Sequence, residues 1–221
     1  MDERAHGIVL RVHPMRETSL IIRWLTLEFG RIATVARGAL RAKSPFRGKL
    51  DLFYMADFSF SRSRRSELHN LRETALAETH PGLREELVCL RQAAYGAALI
   101  EQTTEIETPI PEIFHLLEDF LRQLCGQPAA AHTLFAFELK LLSQLGLKPH
   151  LAGSPLTAGA KRVIELLIES NWHDLSRLKI SREQTMELRS FLHGFLIFHL
   201  GKIPASRGKA LQFGEVPPRS R

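Results

Sequence analysis

The chain has 221 residues, of which 44% are hydrophobic, so it is long enough to build one large core or two small ones and too apolar to be disordered throughout. Its formal net charge of +6 indicates a polyanionic partner. The two cysteines, Cys89 and Cys125, exclude a disulfide framework and a cysteine-based zinc site, and no run approaches the ~18 apolar residues of a membrane span.

Charge is distributed unevenly along the chain. Residues 1–80 hold 14 basic and 9 acidic side chains, residues 81–200 hold 11 and 14, and residues 201–221 hold 5 and 1. We therefore expect the polyanion site on the first segment, assisted by the last. The charged start MDERAHG is not followed by the apolar h-region of a signal peptide, which is about 7–15 residues long, so we expect a protein of the reducing cytoplasm.

Apolar residues at every second position predict β-strands in the first third of the chain, as Ile8, Leu10 and Val12 illustrate. Trp24 lies within such an apolar strand and is predicted to be a core residue. Five strands are predicted, at residues 6–13, 19–27, 31–37, 50–60 and 67–74, with Gly30 in a tight turn. Short strands without helix-length intervals are typical of a small closed barrel, of the size of an oligonucleotide-binding (OB) fold.

Beyond Pro81 the apolar residues follow the period of a helix. Helices are predicted at residues 83–104, 111–125, 130–145, 158–171 and 182–200, with end signals at Pro111, at Ser181 with Gln184, and at Gly201. The last helix is apolar on nearly all sides, so we expect it at the buried centre of a helical domain. The predicted fold is α+β with two domains: an OB-fold β-barrel over residues 1–80, an all-α domain over residues 81–201 and a basic tail over residues 202–221.

The stretch GRIATVARGALRAKSPFRGK, residues 30–49, contains six basic residues and no acidic one. A flexible basic loop between two barrel strands can follow a phosphate backbone, because each cation displaces a condensed counterion. Gly38 and Gly48 are expected to let the loop approach a strand closely, and Phe46 to offer a ring for base stacking. The alternative is a solvated loop that keeps the protein soluble. Because solubility surfaces intersperse acidic residues, we favour nucleic acid.

Four segments together resemble the RecO family of bacterial recombination mediators. They are GIVLRVHPMRETSLIIRWLT and GRIATVARGALRAKSPFRGKLDLF in the first half, and FELKLLSQLGLKP and LGKIPASRGKAL in the second. They occur in the family's order and extend over residues 6–212. The resemblance implies an OB barrel followed by a helical domain, in agreement with the periodicity.

The resemblance also implies a function: a non-catalytic DNA repair factor, cytoplasmic and nucleoid-associated, that binds single- and double-stranded DNA and anneals complementary strands. With RecR, such a factor helps RecA load onto strands coated by the single-strand-binding protein. Carried over by position, the DNA-binding candidates are Arg37, Arg41, Lys43, Arg47 and Lys49, joined by Arg62, Arg64 and Arg65 in the next basic turn. We expect contacts with the sugar-phosphate backbone, since an annealing factor must tolerate every sequence.

The chain departs from the family at two places. Many relatives carry two C-x-x-C pairs that bind a structural zinc, whereas the corresponding segment HLAGSPLTAGAKRV has no cysteine, so we expect no metal and no other cofactor. Where the family commonly has basic residues before its F-E-x-x-L-L helix, this chain has Phe135 and Ala136. A groove there for the tail of the single-strand-binding protein would include Phe135 and would take its cation from Lys140 or Arg122, so these three are the partner-binding candidates.

Other chemistry finds little support in the sequence. The ten histidines include no HExxH motif, and the Gly-Lys pairs lack the Ser or Thr of a phosphate-binding loop. A two-metal nuclease would need carboxylates beside the basic path, and residues 30–49 supply none. We expect no enzymatic activity. Two alternatives stay open: a structured-RNA-binding OB protein and a metal-dependent nuclease.

Overall fold

A computed structural model describes residues 2–213 of the chain. The chain divides into two compact units, Met1–His80 with Ile100–Glu118, and Pro81–Leu99 with Asp119–Arg221. The first unit therefore combines the first 80 residues with a later segment of the chain. Of the predicted basic tail, residues 214–221 lie outside the described residues.

The first unit contains a closed five-stranded barrel. Its strands are β1 (Asp2–Met15), β2 (Ser19–Thr26), β3 (Gly30–Ala36), β4 (Met55–Ser61) and β5 (Leu68–Glu78). They are hydrogen-bonded in the order β1-β2-β3-β5-β4, and β4 returns to β1. Strands β3 and β5 run parallel, and the other neighbours are antiparallel. The predicted OB-like barrel followed by helices is confirmed, although β4 begins later than predicted because residues 37–54 form turns.

Side chains from one face of each strand fill the barrel. Trp24 is fully buried and stacks on Phe58 with ring centroids 4.2 Å apart, and its Nε1 donates to Thr34 Oγ1 at 2.9 Å. Because a buried indole N–H needs an acceptor, Thr34 completes this core. Trp24 is therefore a core residue, as predicted. The core also contains Ala5, Val9, Leu20, Ile22, Ile32, Ala36, Ala39, Phe46, Ala56, Phe60 and Leu71.

Gly30 makes the turn between β2 and β3 possible. Its φ is 66°, and a Cβ added to it would lie 2.2 Å from the carbonyl oxygen of Thr108. We expect Gly30→Ala to lower the free energy of unfolding by about 2–4 kcal/mol, because left-handed backbone strain and steric overpacking add together. Urea denaturation measures this loss.

Gly48→Ala is the control for that measurement. Gly48 has a similar φ of 71°, but a Cβ added there meets no atom within 4 Å. Only the backbone strain of about 1–2 kcal/mol is then expected. Equal losses for the two variants would show that the contact of Gly30 with Thr108 contributes nothing.

Most of the remaining chain is helical. After a short 3-10 turn at Pro81–Arg84 come α1 (Leu87–Thr103), α2 (Pro111–Gly126), α3 (Ala131–Gln144), α4 (Ala158–Glu169), α5 (Trp172–Leu175), α6 (Arg182–Leu200) and α7 (Arg207–Ala210). The predicted end signals are confirmed: Pro111 opens α2, Ser181 and Gln184 form a capping box on α6, and Gly201 ends α6 with a φ of 71°. The single-turn helices α5 and α7 were not predicted.

The most buried helix is α3, not α6. Nine of its residues are buried, namely Thr133, Leu134, Phe135, Ala136, Phe137, Glu138, Leu139, Leu141 and Leu142. The prediction for α6 was wrong: its buried residues are Leu188, Leu192 and Leu196, whereas Met186 is 64% and Phe198 is 82% exposed. Leucines four residues apart form one stripe, so α6 packs by a single face.

A buried ion pair joins two of the segments that carry the family resemblance. Glu138 lies on α3 and Arg207 on α7; Arg207 Nε and Nη2 donate to the two carboxylate oxygens at 2.6 and 2.9 Å. Tyr95 Oη on α1 donates to the same carboxylate at 2.6 Å. Burial lowers the pKa of Arg207, but the hydrogen bonds and charge of Glu138 raise it by more. Burial and the Glu138 carboxylate both raise the pKa of Tyr95, so this cluster links three helices through one charged pair and one neutral phenol.

Candidate nucleic-acid interface

The basic loop, residues 37–54, is folded into turns and anchored to the barrel. Ala39 and Phe46 are buried in the barrel core, and Leu40 N donates to Thr18 O at 3.0 Å. Four backbone N–H groups of the loop donate to the carbonyl oxygen of the residue three positions earlier. These bonds run from Arg41 to Gly38, from Ser44 to Arg41, from Arg47 to Ser44 and from Lys49 to Phe46. The predicted flexible loop is therefore corrected to an ordered one, which presents its cations on a fixed backbone.

The cations of the basic loop lie on its outer surface. Arg37, Arg41, Lys43 and Arg47 are all exposed. Within residues 2–213 none of the four forms an ion pair, and Arg47 Nη1 donates to a carbonyl oxygen of the loop itself at 3.2 Å. Lys49 is half-buried, and its Nζ donates to Thr74 O at 3.2 Å. The structure thus brings the five predicted loop residues together, and no carboxylate in the described part of the chain pairs with four of their charges.

Three other expectations for this loop need correction. The Phe46 side chain is only 7% exposed because it belongs to the barrel core, so it offers no exposed ring for stacking. Gly38 and Gly48 have φ of 67° and 71° and are needed for left-handed turns. A Cβ added to Gly38 would meet nothing closer than the Arg41 side chain at 3.4 Å, so neither glycine serves a close approach to a strand.

The second basic segment, the turn at residues 62–67 between β4 and β5, is partly compensated by carboxylates. Arg62 Nε donates to Glu3 Oε1 at 2.9 Å and its Nη1 to Glu107 Oε2 at 2.7 Å. These hydrogen bonds raise the pKa of Arg62 and lower that of Glu3. Arg64 and Arg65 are exposed and form no ion pair in the described part of the chain. Arg62 is thus the weakest of the three candidates for phosphate contacts.

The two basic segments leave the barrel at opposite ends. In the parallel pair, Ala33 of β3 lies beside Leu68 of β5, and Val35 lies beside Asn70. The basic loop follows the end of β3, whereas the turn at residues 62–67 precedes the start of β5. The sequence prediction grouped the two segments as one site, whereas the register places them at opposite ends of the paired stretch of β3 and β5.

A cleft of about 630 Å³ lies between the basic loop and strands β1, β4 and β5. Its walls include Lys49 of the loop, Arg4 of β1 and Arg72 of β5. Sequence reasoning missed Arg4 and Arg72 because each stands next to an acidic residue, Glu3 and Glu73 respectively, so neither belongs to a basic run. Their proximity depends on the pairing of the strands: Arg4 of β1 lies opposite Ser59 of β4, and Ser59 lies opposite Glu73, the neighbour of Arg72 on β5.

The three partner-groove candidates are not equivalent. Phe135 is one of the buried residues of α3 and is only 1% exposed, so its ring does not contribute to a surface groove. Lys140 is half-buried, its Nζ donates to Ile168 O and Ser170 O at 2.9 and 2.7 Å, and burial lowers its pKa. Arg122 is exposed and donates to Asp119 at 3.2 Å.

The segment that replaces the family's zinc-binding pairs does not fit a zinc ion. It offers His150 as a single ligand, whereas structural zinc takes four. Over residues 2–213, no three His, Cys, Asp or Glu side chains are grouped closely enough to hold a metal. In the same range, no helix combines the length and apolarity required to cross a bilayer.

Comparisons with known proteins agree with the fold. The family described as Recombination protein O N terminal matches residues 1–80, and Recombination protein O C terminal matches residues 84–154. A protein named DNA repair protein RecO from Bacillus pumilus is 35% identical over 148 residues, which are 67% of this chain and 57% of that protein. Its namesake from Bacillus subtilis is 32% identical over 151 residues, 68% of this chain and 58% of that protein.

These matches span little more than half the length of the two Bacillus proteins. A third similar protein, DNA repair protein RecO from Pelotomaculum thermopropionicum, is 28% identical over 98% of this chain and 96% of its own length. The similarity therefore extends over both compact units of the chain.

Proposed function

Since the chain belongs to the RecO family, we propose that it is a non-catalytic DNA repair and recombination mediator that binds single- and double-stranded DNA and anneals complementary strands. The observation that carries this proposal is the basic loop. Four exposed cations stand on an ordered backbone, and none of them pairs with a carboxylate of residues 2–213. Such a surface attracts a polyanion of regular charge spacing.

The annealing mechanism follows from electrostatics. Two complementary strands repel each other through their phosphates, and a protein that neutralises phosphates lowers this barrier. Contacts with the backbone leave the Watson–Crick edges of most bases free to pair. No covalent step is required, so the protein needs neither a metal nor ATP for this activity.

We propose that the chain works with RecR in the cytoplasm at the nucleoid. There it would help RecA load onto strands coated by the single-strand-binding protein. The family relationship supports these partners. If the tail of the single-strand-binding protein binds the helical unit, Arg122 is the exposed cation among the three candidates, and a pull-down with that tail peptide and with RecR tests both contacts.

A strand-annealing assay tests the function. Two complementary oligonucleotides carrying a donor and an acceptor fluorophore are mixed with the protein in the presence of EDTA and without ATP. We expect the rate of annealing to rise at low salt and to return to the spontaneous rate as salt increases, because counterion release weakens at high salt.

Three outcomes are informative. Acceleration that is independent of salt would contradict binding through the basic loop. Strand breakage in Mg²⁺ would support a nuclease instead. Binding of structured RNA with no acceleration of DNA annealing would support an RNA-binding protein.

A further inference from the structure

The exposed side of α6 carries a regular row of side chains. Met186, Ser190, His193 and Ile197 are all exposed, although Met186 and Ile197 are apolar. They follow one another at intervals of four, three and four residues, so they lie along one side of the helix. We call these four residues the outer strip. It lies on a different side of α6 from the three leucines by which the helix packs within its own unit.

A groove of about 580 Å³ runs beside the outer strip. Three of the four strip residues line it, and Ile203, Pro204 and Leu211, which follow α6 in the chain, form its apolar wall. Arg189 and Arg207 also line the groove, and none of the lining residues within 2–213 is acidic. Arg207 pairs with Glu138, whereas Arg189 forms no ion pair in the described part of the chain. The groove therefore suits an apolar group that brings negative charge or none.

The C-terminal half of α6 itself meets this requirement. From Ser190 to Leu200 the helix contains no Asp, Glu, Lys or Arg. Its last carbonyl groups give its C-terminal end a partial negative charge. A second copy of α6, laid antiparallel to the first, would place this uncharged and partly negative end over the groove, within reach of Arg189. Charge complementarity therefore favours a second copy of the chain as the occupant.

The outer strip is complementary to itself in the antiparallel arrangement. If Met186 of one copy lies opposite Ile197 of the other, Ser190 lies opposite His193, because both pairs are centred between residues 191 and 192. A two-fold axis at that point repeats each pair. It gives two apolar pairs at the ends and two pairs in the middle, in which the hydroxyl of Ser190 can hydrogen-bond to the ring of His193. Such a contact closes after two copies.

We propose that the chain forms an antiparallel dimer through α6, in which the C-terminal half of each α6 lies over the groove of the other copy. The dimer covers the apolar side chains of Met186 and Ile197, which the single chain leaves exposed. One pair of helices forms a small interface, so the dimer exchanges with the monomer and depends on concentration. Because the outer strip and the groove both belong to the helical unit, this inference is independent of the proposed function.

Sedimentation velocity of the full chain, without nucleic acid, tests the proposal. We expect the sedimentation coefficient to rise with protein concentration from that of a monomer toward that of a dimer. Ile197→Asp should lose this rise, because dimerisation would bury its carboxylate against the partner's apolar side chains. Met186→Asp, at the other end of the same contact, should lose it as well.

Phe198→Asp is the matched control. Phe198 is adjacent to Ile197 and more exposed, at 82% against 43%, but it does not belong to the outer strip. Non-specific association through exposed apolar surface would be weakened most by this variant, whereas the proposal predicts that it still dimerises. Because all three replaced side chains are exposed, each variant should melt close to the wild-type temperature, which shows that it is folded.

Cysteine cross-linking tests the orientation of the two helices. A mixture of Met186→Cys and Ile197→Cys proteins should form a mixed disulfide under mild oxidation. Neither variant alone should cross-link more than the wild-type chain, which contains Cys89 and Cys125. A variant that cross-links efficiently with itself would indicate parallel helices and overturn the proposal. So would a wild-type chain that stays monomeric at every concentration, or an Ile197→Asp protein that still dimerises.

Discussion

Replacing Glu138 with alanine should lower the free energy of unfolding by about 3–5 kcal/mol, because it leaves a buried guanidinium without its counter-charge. Arg207 is 6% exposed and donates two hydrogen bonds to Glu138, and Tyr95 donates a third. The variant leaves Arg207 and Tyr95 without their hydrogen-bond acceptor in the interior of the helical unit. Urea denaturation followed by circular dichroism measures the loss.

Glu165→Ala is the matched control. Glu165 also pairs with an arginine, Arg162, at 3.2 Å, but both side chains are solvent-exposed on α4. Exposed pairs of this kind contribute less than about 1 kcal/mol. A Glu138→Ala protein whose stability is within that margin of the wild type would show that the buried pair is not required to hold α3 and α7 together.

Reversing charge at Arg41, Lys43 and Arg47 together should weaken single-strand binding about a hundredfold at 0.1 M salt. The loss of three phosphate contacts lowers the log-log salt slope by about 2, at roughly 0.7 for each contact. All three residues lie on exposed parts of the basic loop, away from its buried anchors Ala39 and Phe46. The fold should therefore survive the change, and anisotropy titrations at several salt concentrations measure the slope.

A second triple reversal controls for net charge. Arg177, Lys179 and Arg182 are exposed, similarly spaced along the chain and located in the helical unit. The control variant carries the same total charge as the loop variant, so a non-specific electrostatic effect would reduce binding in both. If the loop variant keeps the wild-type salt slope, the basic loop is not the DNA site.

The barrel could be predicted because strand periodicity is local. In a small closed barrel one face of every strand is buried, so alternate residues must be apolar throughout. The start of β4 could not be predicted because Phe53 is buried although it lies in a turn, with a φ of 63°, and not in a strand. A left-handed residue that is not glycine leaves no signal in the periodicity.

The candidate site was predictable only as far as it is continuous in sequence. The run from Arg37 to Lys49 reads as basic because its charges are neighbours. By contrast, the carboxylates that bind Arg62 come from positions 59 and 45 residues away. The helix α6 shows the same limit, since counting apolar residues does not reveal that Phe198 faces away from the core.

The link between Glu138 and Arg207 also constrains biosynthesis. These residues are 69 positions apart, so on the ribosome α3 emerges well before the guanidinium that neutralises it. Until then the nascent chain must keep the Glu138 carboxylate in contact with water, and α3 cannot pack into its final buried environment. A translation product arrested before Arg207 would consequently present an open helical unit to cellular proteases.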